Sequence, residues 1–246
     1  MQGPDRKMAP EKPPTGWGND EITQFLEHAR NNSFATFANL KGEYQTLAEV
    51  SACFYELSRN LDDHEEVFVG WFVLQSLSAY LAGISCALSG QGPESCALLR
   101  LALEHSLYGF HFAGNDAALE VWLRRHDSAD AKAKVKKLQI KRMIDAIGER
   151  LPREAQIIRD AYDSLIDSGA HPNEKALSRR LALQSDDKSF RFDLSFMVGN
   201  SLAIEGMLRL ASRIGVCVLT IFELVYDKRL EILGISSRIV ALKQTL

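Results

Sequence analysis

The strongest chemical signal in the chain is a polar stripe on an otherwise apolar stretch, residues 95–113. At about 100° per residue, Arg100, Glu104 and His111 fall within about 40° of one another on a helix, and Tyr108 lies at the edge of the stripe. The other positions are mostly Leu, Ala and Phe, which is typical of a helix inside a bundle. Buried charge is costly unless it is paired, so the stripe predicts either an internal ion pair or a polar cavity.

These two interpretations assign the stripe different roles. An Arg and a Glu four residues apart can satisfy each other and fix the register of packed helices. Alternatively, the stripe lines a pocket between helices, where bundles usually hold their ligands. In the second case the predicted binding residues are Arg100, Glu104, Tyr108, His111 and His171, the last of which follows a predicted helix end and precedes a proline.

Other kinds of chemistry lack the spacing that they require. His105 and His111 point to different faces of a helix, and the chain contains no H-E-x-x-H or E-x-x-H, so we predict no metal. The chain also lacks a G-x-S-x-G, a P-loop and a dinucleotide fingerprint, so we predict no cofactor. The four cysteines show no C-x-x-C spacing, which favours buried free thiols in a reducing cytoplasm over zinc or disulfides.

A second pattern on the same stretch is Arg100-Leu-Ala-Leu-Glu-His105, which matches R-x4-H. It resembles the signature of the higher-eukaryote and prokaryote nucleotide-binding (HEPN) superfamily of helical bundles, many of which are metal-independent ribonucleases in defence systems. The resemblance implies that Arg100 binds phosphate and that His105 is the acid–base group in a composite dimer site. The sequence departs from the family at Leu101, where a polar residue is usual. On an ideal helix His105 lies about 140° from Arg100, so the two would not converge within one subunit.

A broader resemblance covers about residues 35–225. Uncharacterised all-helical bacterial proteins, a domain family of unknown function, have R-x3-E on an apolar mid-chain helix and later a small residue, any residue, His and Pro. Arg100 and Glu104 fit the first part, and Gly169-Ala-His171-Pro172 fits the second. The resemblance implies a helical fold in which these residues form one site, and it supplies no activity.

Hydrophobic periodicity predicts the elements that position this site. Apolar residues recur every three or four positions and predict long helices, expected to pack as a central antiparallel bundle, over about 36–61, 66–89, 94–113 and 200–226. Peripheral helices are predicted over about 19–31, 117–125, 128–150, 152–168 and 236–243. The first should be capped by Asn19 or Asp20 and broken at 31–33. Strict alternation before residue 196 predicts one inserted β-hairpin, about 180–196. The predicted fold class is mainly α.

Composition defines the domain organisation. The first 18 residues are rich in proline and show no periodicity, so we predict a disordered tail over 1–18 and a single helical domain over 19–246. Residues 67–93 contain no charge and are long enough to cross a bilayer. Gln75, several serines and the absence of flanking Lys or Arg favour the central helix of a soluble bundle instead, so we predict no membrane partner.

Local charge differs along a chain whose net charge is only −3. Residues 122–159 hold eleven Lys or Arg against five acids, whereas residues 20–66 hold ten acids against three bases. This asymmetry predicts either solvated faces that meet in a homodimer, or a docking surface for a polyanion such as RNA.

Taken together, the sequence predicts a cytoplasmic helical-bundle protein with a buried polar site, which binds a small molecule rather than catalysing a reaction. A HEPN-like ribonuclease of a bacterial stress or phage-defence system is the alternative.

Overall fold

The structure is a computed structural model that describes residues 12–61, 67–136, 138–170, 174, 181–185, 190–199 and 201–246. The prediction of a mainly α protein is confirmed. The α-helices in these residues are α1 (Glu21–Asn39), α2 (Lys41–Arg59), α3 (Val67–Leu88), α4 (Gly92–Phe112), α5 (Asp116–Leu123), α6 (Ala129–Lys136), α7 (Ile140–Gly148), α8 (Pro152–Leu165), α9 (Ser201–Glu223), α10 (Asp227–Ile232) and α11 (Ile235–Thr245). A π-helical turn, Ile166–Ala170, follows α8 and is kinked at Gly169, whose backbone is not helical.

Four long helices, α2, α3, α4 and α9, enclose most of the hydrophobic core. The ring of Phe54 in α2 lies 5.0 Å from that of Tyr80 in α3. The hydroxyl of Ser76 in α3 donates to the carbonyl of Ala102 in α4 at 3.1 Å. The large side chains between these helices are fully buried. Small or hydroxyl-bearing residues allow the helix backbones to approach each other.

The directions of these helices follow from their contacts. Antiparallel α3 and α4 bring Gly83 close to Leu99 at one end and Gly109 close to Phe72 at the other. In contrast, α4 and α9 run parallel, because Gly109 also approaches Phe222 near the end of α9. The antiparallel prediction is therefore wrong for α4 and α9.

The parallel pair arises from the long connection between α4 and α9. The chain passes through α5 to α8 and returns to the beginning of α4, where Gly169 lies against Pro93 and the amide of Val198 donates to the carbonyl of Gly90 at 2.9 Å. It therefore enters α9 from the same end at which it entered α4.

The N-terminal helix is longer than predicted. The expected cap is confirmed, because Asp20 Oδ1 accepts from the amides at positions 22 and 23, each at 3.0 Å. The predicted break at residues 31–33 is wrong. Ser33 donates to the carbonyl one turn earlier at 2.8 Å, and Asn32 donates to the carbonyl of Ser89 at 3.1 Å. Since these polar side chains find partners without interrupting the helix, α1 continues to Asn39, with Leu40 as its C-cap.

The predicted basic helix over 128–150 is two helices. The chain is extended at Gln139, between α6 and α7. In α7 three apolar side chains, Met143, Ile144 and Ile147, are buried, whereas α6 has no buried residue. Burial of these side chains therefore fixes the orientation of α7. Because α6 buries no side chain, it does not have to continue along the axis of α7.

Two five-residue strands, β1 (Leu181–Ser185) and β2 (Phe190–Leu194), pair antiparallel with Leu181 opposite Leu194. The connecting residues 186–189 and the strand side chains before Leu194 lie outside the described part of the chain. The hairpin predicted at about 180–196 therefore stays a prediction as an element inserted in the bundle.

The predicted tail, residues 1–18, lies partly outside and partly inside the described part of the chain. Residues 1–11 lie outside the described part. Residues 14–19 form turns, and Trp17 donates from its indole nitrogen to Glu27 of α1 at 3.2 Å. Among the described helices, α3 alone is long and apolar enough to cross a membrane, and 50% of its most apolar stretch is buried inside the protein.

Candidate functional site

The polar stripe of α4 is centred on the carboxylate of Glu104. Its Oε1 accepts from Arg100 Nε at 2.8 Å and from the hydroxyl of Tyr162, on α8, at 2.9 Å. The Arg100 guanidinium carbon also lies 5.6 Å from the centre of the Tyr162 ring. Nη1 of the same guanidinium donates to the carbonyl of Ala170 at 3.4 Å. We call Arg100, Glu104, Tyr162 and Ala170 the α4–α8 cluster; it joins α4, α8 and the π-helical turn.

A glycine allows the π-helical turn to reach α4. Gly169 has φ +133, a conformation that side-chain-bearing residues rarely adopt, and an added Cβ would lie 2.6 Å from Cβ of Pro93. Pro93 itself suits the first turn of α4, where no intrahelical donor is lost. This close approach brings the carbonyl of Ala170 to Arg100.

Partial burial strengthens the interactions in the cluster. The side chains of Arg100 and Glu104 are each 22% exposed. Burial lowers the pKa of Arg100, but the hydrogen bond and charge of Glu104 outweigh burial, so the pKa is raised and the guanidinium stays charged. Burial, followed by the hydrogen bond to Glu104, raises the pKa of Tyr162 to about 12, so its phenol stays a donor at neutral pH.

The cluster leaves hydrogen-bonding capacity at its exposed edge. Within the described residues no hydrogen bond reaches Oε2 of Glu104, and the Arg100 guanidinium uses Nε for Glu104, Nη1 for Ala170 and a further contact for the Tyr162 hydroxyl. A carboxylate can accept about four hydrogen bonds, and a guanidinium can donate five. The cluster therefore presents an acceptor and a donor side by side.

The rest of the predicted stripe lies in an aromatic cluster between α3, α4 and α5. Tyr108 stacks on Phe72 with ring centres 6.3 Å apart. Burial raises the pKa of Tyr108, the charge of Glu104 raises it further, and Arg125 opposes both. Tyr108 thus lies within electrostatic range of both charged residues. The guanidinium of Arg125 lies 5.1 Å from the ring centre of Trp122.

The two histidines of α4 pack on phenylalanines. The ring of His105 lies 6.2 Å from that of Phe72, and the ring of His111 lies 5.3 Å from that of Phe112. Burial lowers the pKa of His111, and burial lowers that of His105 against the opposing charge of Glu104. Both imidazoles are therefore neutral at pH 7.

Tyr162 was not among the predicted site residues, and Ala170 belonged to the predicted site only through the resemblance at residues 169–172. The sequence signal for Tyr162 was a tyrosine on the inner face of an amphipathic helix, since a buried hydroxyl usually finds a partner. A main-chain carbonyl has no sequence signal. His171 lies outside the described residues, and its neighbour Ala170 is the residue that contacts Arg100.

Comparison with known proteins gives no relative from which a role could be transferred. No protein-family model, no curated protein and no solved structure matches the chain significantly.

Two surface depressions lie away from the α4–α8 cluster. One, of about 430 Å³, lies between α2, α9 and α11. The other, of about 660 Å³, lies between α8, α9 and α11. No residue of the α4–α8 cluster lines either depression. In the described residues no three His, Cys, Asp or Glu side chains are grouped closely enough to hold a metal ion.

The basic region 122–159 is partly neutralised by ion pairs. Arg159 contacts Asp145 at 2.8 Å, and Lys134 contacts Asp130 at 2.9 Å. Because each of these pairs joins a cation and an acid of the same region, some cations of the region have internal partners, while the others face solvent.

Proposed function

We propose that this protein is a non-catalytic helical-bundle protein that binds a small zwitterionic ligand at the α4–α8 cluster. The observation that carries the proposal is the arrangement of Glu104. Its Oε1 is held by Arg100 and Tyr162, while the side chain remains 22% exposed and Oε2 has no partner among the described residues.

The ligand class follows from complementarity. A ligand ammonium group would complement Oε2 of Glu104, and a ligand carboxylate would complement the guanidinium N–H groups of Arg100 that its protein partners do not use. Tyr108 and Tyr162 extend the site with aromatic surface for the ligand side chain. A zwitterionic amino acid with an apolar side chain has all three features.

Preorganisation supports binding at this place. Glu104 is oriented before any ligand arrives, because two donors from two helices hold the same oxygen. The main-chain contact with Ala170 restrains Arg100 in the same way. A ligand therefore does not have to bear the full entropic cost of ordering these side chains.

The test is calorimetric titration with L-tyrosine, L-leucine and glycine. We expect saturable binding in which the apolar side chains increase the affinity, and we expect Glu104→Gln to weaken it about tenfold or more because a charge-assisted hydrogen bond is lost. Glu120→Gln is the matched control, since it removes the same group from an exposed i,i+4 pair with Arg124. Equal affinities of the two variants, or no binding to the parent protein, would contradict the proposal.

The HEPN-like ribonuclease remains the alternative proposal. The lowered pKa of His105 supports it, because a neutral imidazole is what a general base needs at pH 7. Against it, Arg100 is held by Glu104 rather than free for phosphate. The alternative requires a homodimer that joins Arg100 of one chain to His105 of another, and it requires RNA on region 122–159. Cleavage of single-stranded RNA that is lost in His105→Ala, with the fold retained, would replace our proposal by this one.

A further inference from the structure

The larger surface depression is a groove with α9 as its floor and with α8 and α11 as its walls. Its volume is about 660 Å³, within the usual range for a small-molecule site. None of its lining residues belongs to the α4–α8 cluster, so an inference about the groove does not depend on the function proposed above.

Apolar side chains line much of this groove. Val216 and Cys217 of α9 are buried beneath it, together with Ile158 of α8. The two walls are exposed, Ile157 to 48% and Val240 to 57%. Apolar side chains on both walls of a concave surface provide a surface that an alkyl chain can cover.

The floor also contains a polar group without a partner. The hydroxyl of Thr220 is buried, lines the groove and has no hydrogen-bond partner in the described residues. A buried hydroxyl nearly always has a partner in a protein or in ordered water. A polar atom from a ligand or from solvent in the groove would satisfy it.

Basic residues outnumber acids around the groove. Arg153, Arg213 and Lys243 line it against Glu154 and Asp160. Arg213 is already used, because its Nε and Nη2 donate to the main-chain oxygen of Leu246 at 3.1 and 2.7 Å.

Lys243 is the cation best placed for a ligand. No acid pairs with it in the described contacts, and the same is true of Arg153. Lys243 lines the groove together with Cys217, and although burial raises the pKa of Cys217 to about 12, the charge of Lys243 opposes that shift, so the lysine lies within electrostatic range of this floor residue. A cation beside an apolar surface complements a ligand that joins an anion to a hydrocarbon chain.

We propose that the groove between α8, α9 and α11 binds a free single-chain fatty acid, with its carboxylate at Lys243 and its alkyl chain over Ile157, Val216 and Val240.

The direct test is calorimetric titration of the full chain with sodium octanoate, decanoate and dodecanoate below their micellar concentrations. We expect one saturable site and an affinity that rises roughly fourfold for each added methylene, because each buried methylene contributes transfer free energy. Decan-1-ol should bind more weakly than decanoate, since it lacks the charge. Equal binding of the alcohol, or affinity without dependence on chain length, would overturn the proposal.

Variants at exposed positions locate the site without threatening the fold. We expect Val240→Asp to weaken decanoate binding about tenfold or more, because it places a carboxylate, with the same charge as the ligand, where the alkyl chain would pack. Lys243→Gln should weaken it about two- to fivefold, which matches the modest strength of an exposed ion pair. Lys228→Gln on α10 is the matched control, since it removes an exposed lysine that does not line the groove.

Circular dichroism should show that all three variants keep the parent helicity. Unchanged decanoate binding in folded Val240→Asp would overturn the proposal, as would binding only to lipid vesicles. Glu104→Gln should leave decanoate binding unchanged, so the fatty-acid proposal and the zwitterion proposal can fail separately.

Discussion

Glu104 shows how one side chain can connect three parts of a helical protein. Its Oε1 accepts from Arg100 on its own helix and from Tyr162 on α8, and Arg100 in turn reaches the π-helical turn. A charged group that is only partly buried keeps enough solvation to tolerate its charge and enough burial to make its hydrogen bonds specific.

The Tyr162 hydrogen bond should make a pH-dependent contribution to the free energy of unfolding. Burial and then the hydrogen bond to Glu104 raise the pKa of Tyr162 to about 12, whereas an unfolded tyrosine titrates near about 10. Its contribution is therefore complete below about pH 10 and is lost as the pH rises through about 12.

Tyr162→Phe should lower the free energy of unfolding by about 1–2 kcal/mol at pH 8, because Glu104 loses one of its donors. Urea unfolding of both proteins from pH 8 to 12 measures the difference, which should shrink across this range. A difference that stays constant to pH 12 would show that the phenol proton contributes nothing.

The backbone conformation of Gly169 is a second requirement at this scale. We expect Gly169→Ala to lower the free energy of unfolding by about 1–3 kcal/mol, because φ is +133 and the new Cβ would lie 2.6 Å from Pro93. Gly199→Ala is the control, since an added Cβ there meets nothing within 4 Å and no positive φ is required. Thermal or urea unfolding measures both. Equal effects would mean that the π-helical turn can move away from α4 at no cost.

Among the helices, α9 makes the closest core approach through a glycine. A Cβ at Gly215 would lie 2.5 Å from the hydroxyl of Tyr80 on α3 and 2.5 Å from Val50 on α2. Tyr80 and Val50 are both fully buried and cannot move into solvent. The absence of a side chain therefore sets the spacing between α9 and its two neighbours.

Gly215→Ala should lower the free energy of unfolding by about 1–3 kcal/mol, the usual cost of overpacking a core. Gly206→Ala, on the same helix, should instead raise it by about 0.5–1 kcal/mol, because alanine has the higher helix propensity and nothing lies within 4 Å of the added Cβ. Urea unfolding followed by circular dichroism measures both effects. A destabilising Gly206→Ala, or a neutral Gly215→Ala, would contradict this description of α9.

Element boundaries depend on contacts that are distant in the sequence. The break in α1 was predicted from the local preference of two asparagines and a serine for turns. In the structure the side chain of Asn32 instead donates to the carbonyl of Ser89, and the helix continues. The two halves of the basic segment separate because only α7 has apolar side chains to bury. In both cases packing against a distant part of the chain overrides local preference.

For the whole molecule, the cysteines report whether the bundle opens as one unit. Cys53, Cys96 and Cys217 lie on α2, α4 and α9 and are at most 5% exposed, whereas Cys86 on α3 is half-buried. The described chain contains no disulfide among them. A thiol reagent can reach Cys53 and Cys96 only when the helices separate, and it can react freely with Cys217, which lies at the groove floor with 5% exposure, only when the groove opens.

In single-cysteine variants we expect Cys86 to react with a disulfide reagent fastest in the native state. The other three should react with similar opening free energies, close to the free energy of global unfolding, if the four helices form one cooperative core. Labelling followed by mass spectrometry measures these rates. Native-state reaction of Cys217 as fast as that of Cys86 would show instead that the groove above α9 opens independently.

The sequence by itself determined the mainly α fold class, a helix cap at residues 19–20 and the position of Arg100 and Glu104 one turn apart on one face of a helix, because each depends on residues within one or two helical turns. Only the tertiary structure decided that Tyr162 and the Ala170 carbonyl join that pair, and that α4 and α9 run parallel. These features depend on where a connection of several helices returns the chain. The path of that connection follows from which apolar helix faces pack against each other. The hydrophobic pattern of one helix shows which face is buried, but it does not show which other helix covers that face.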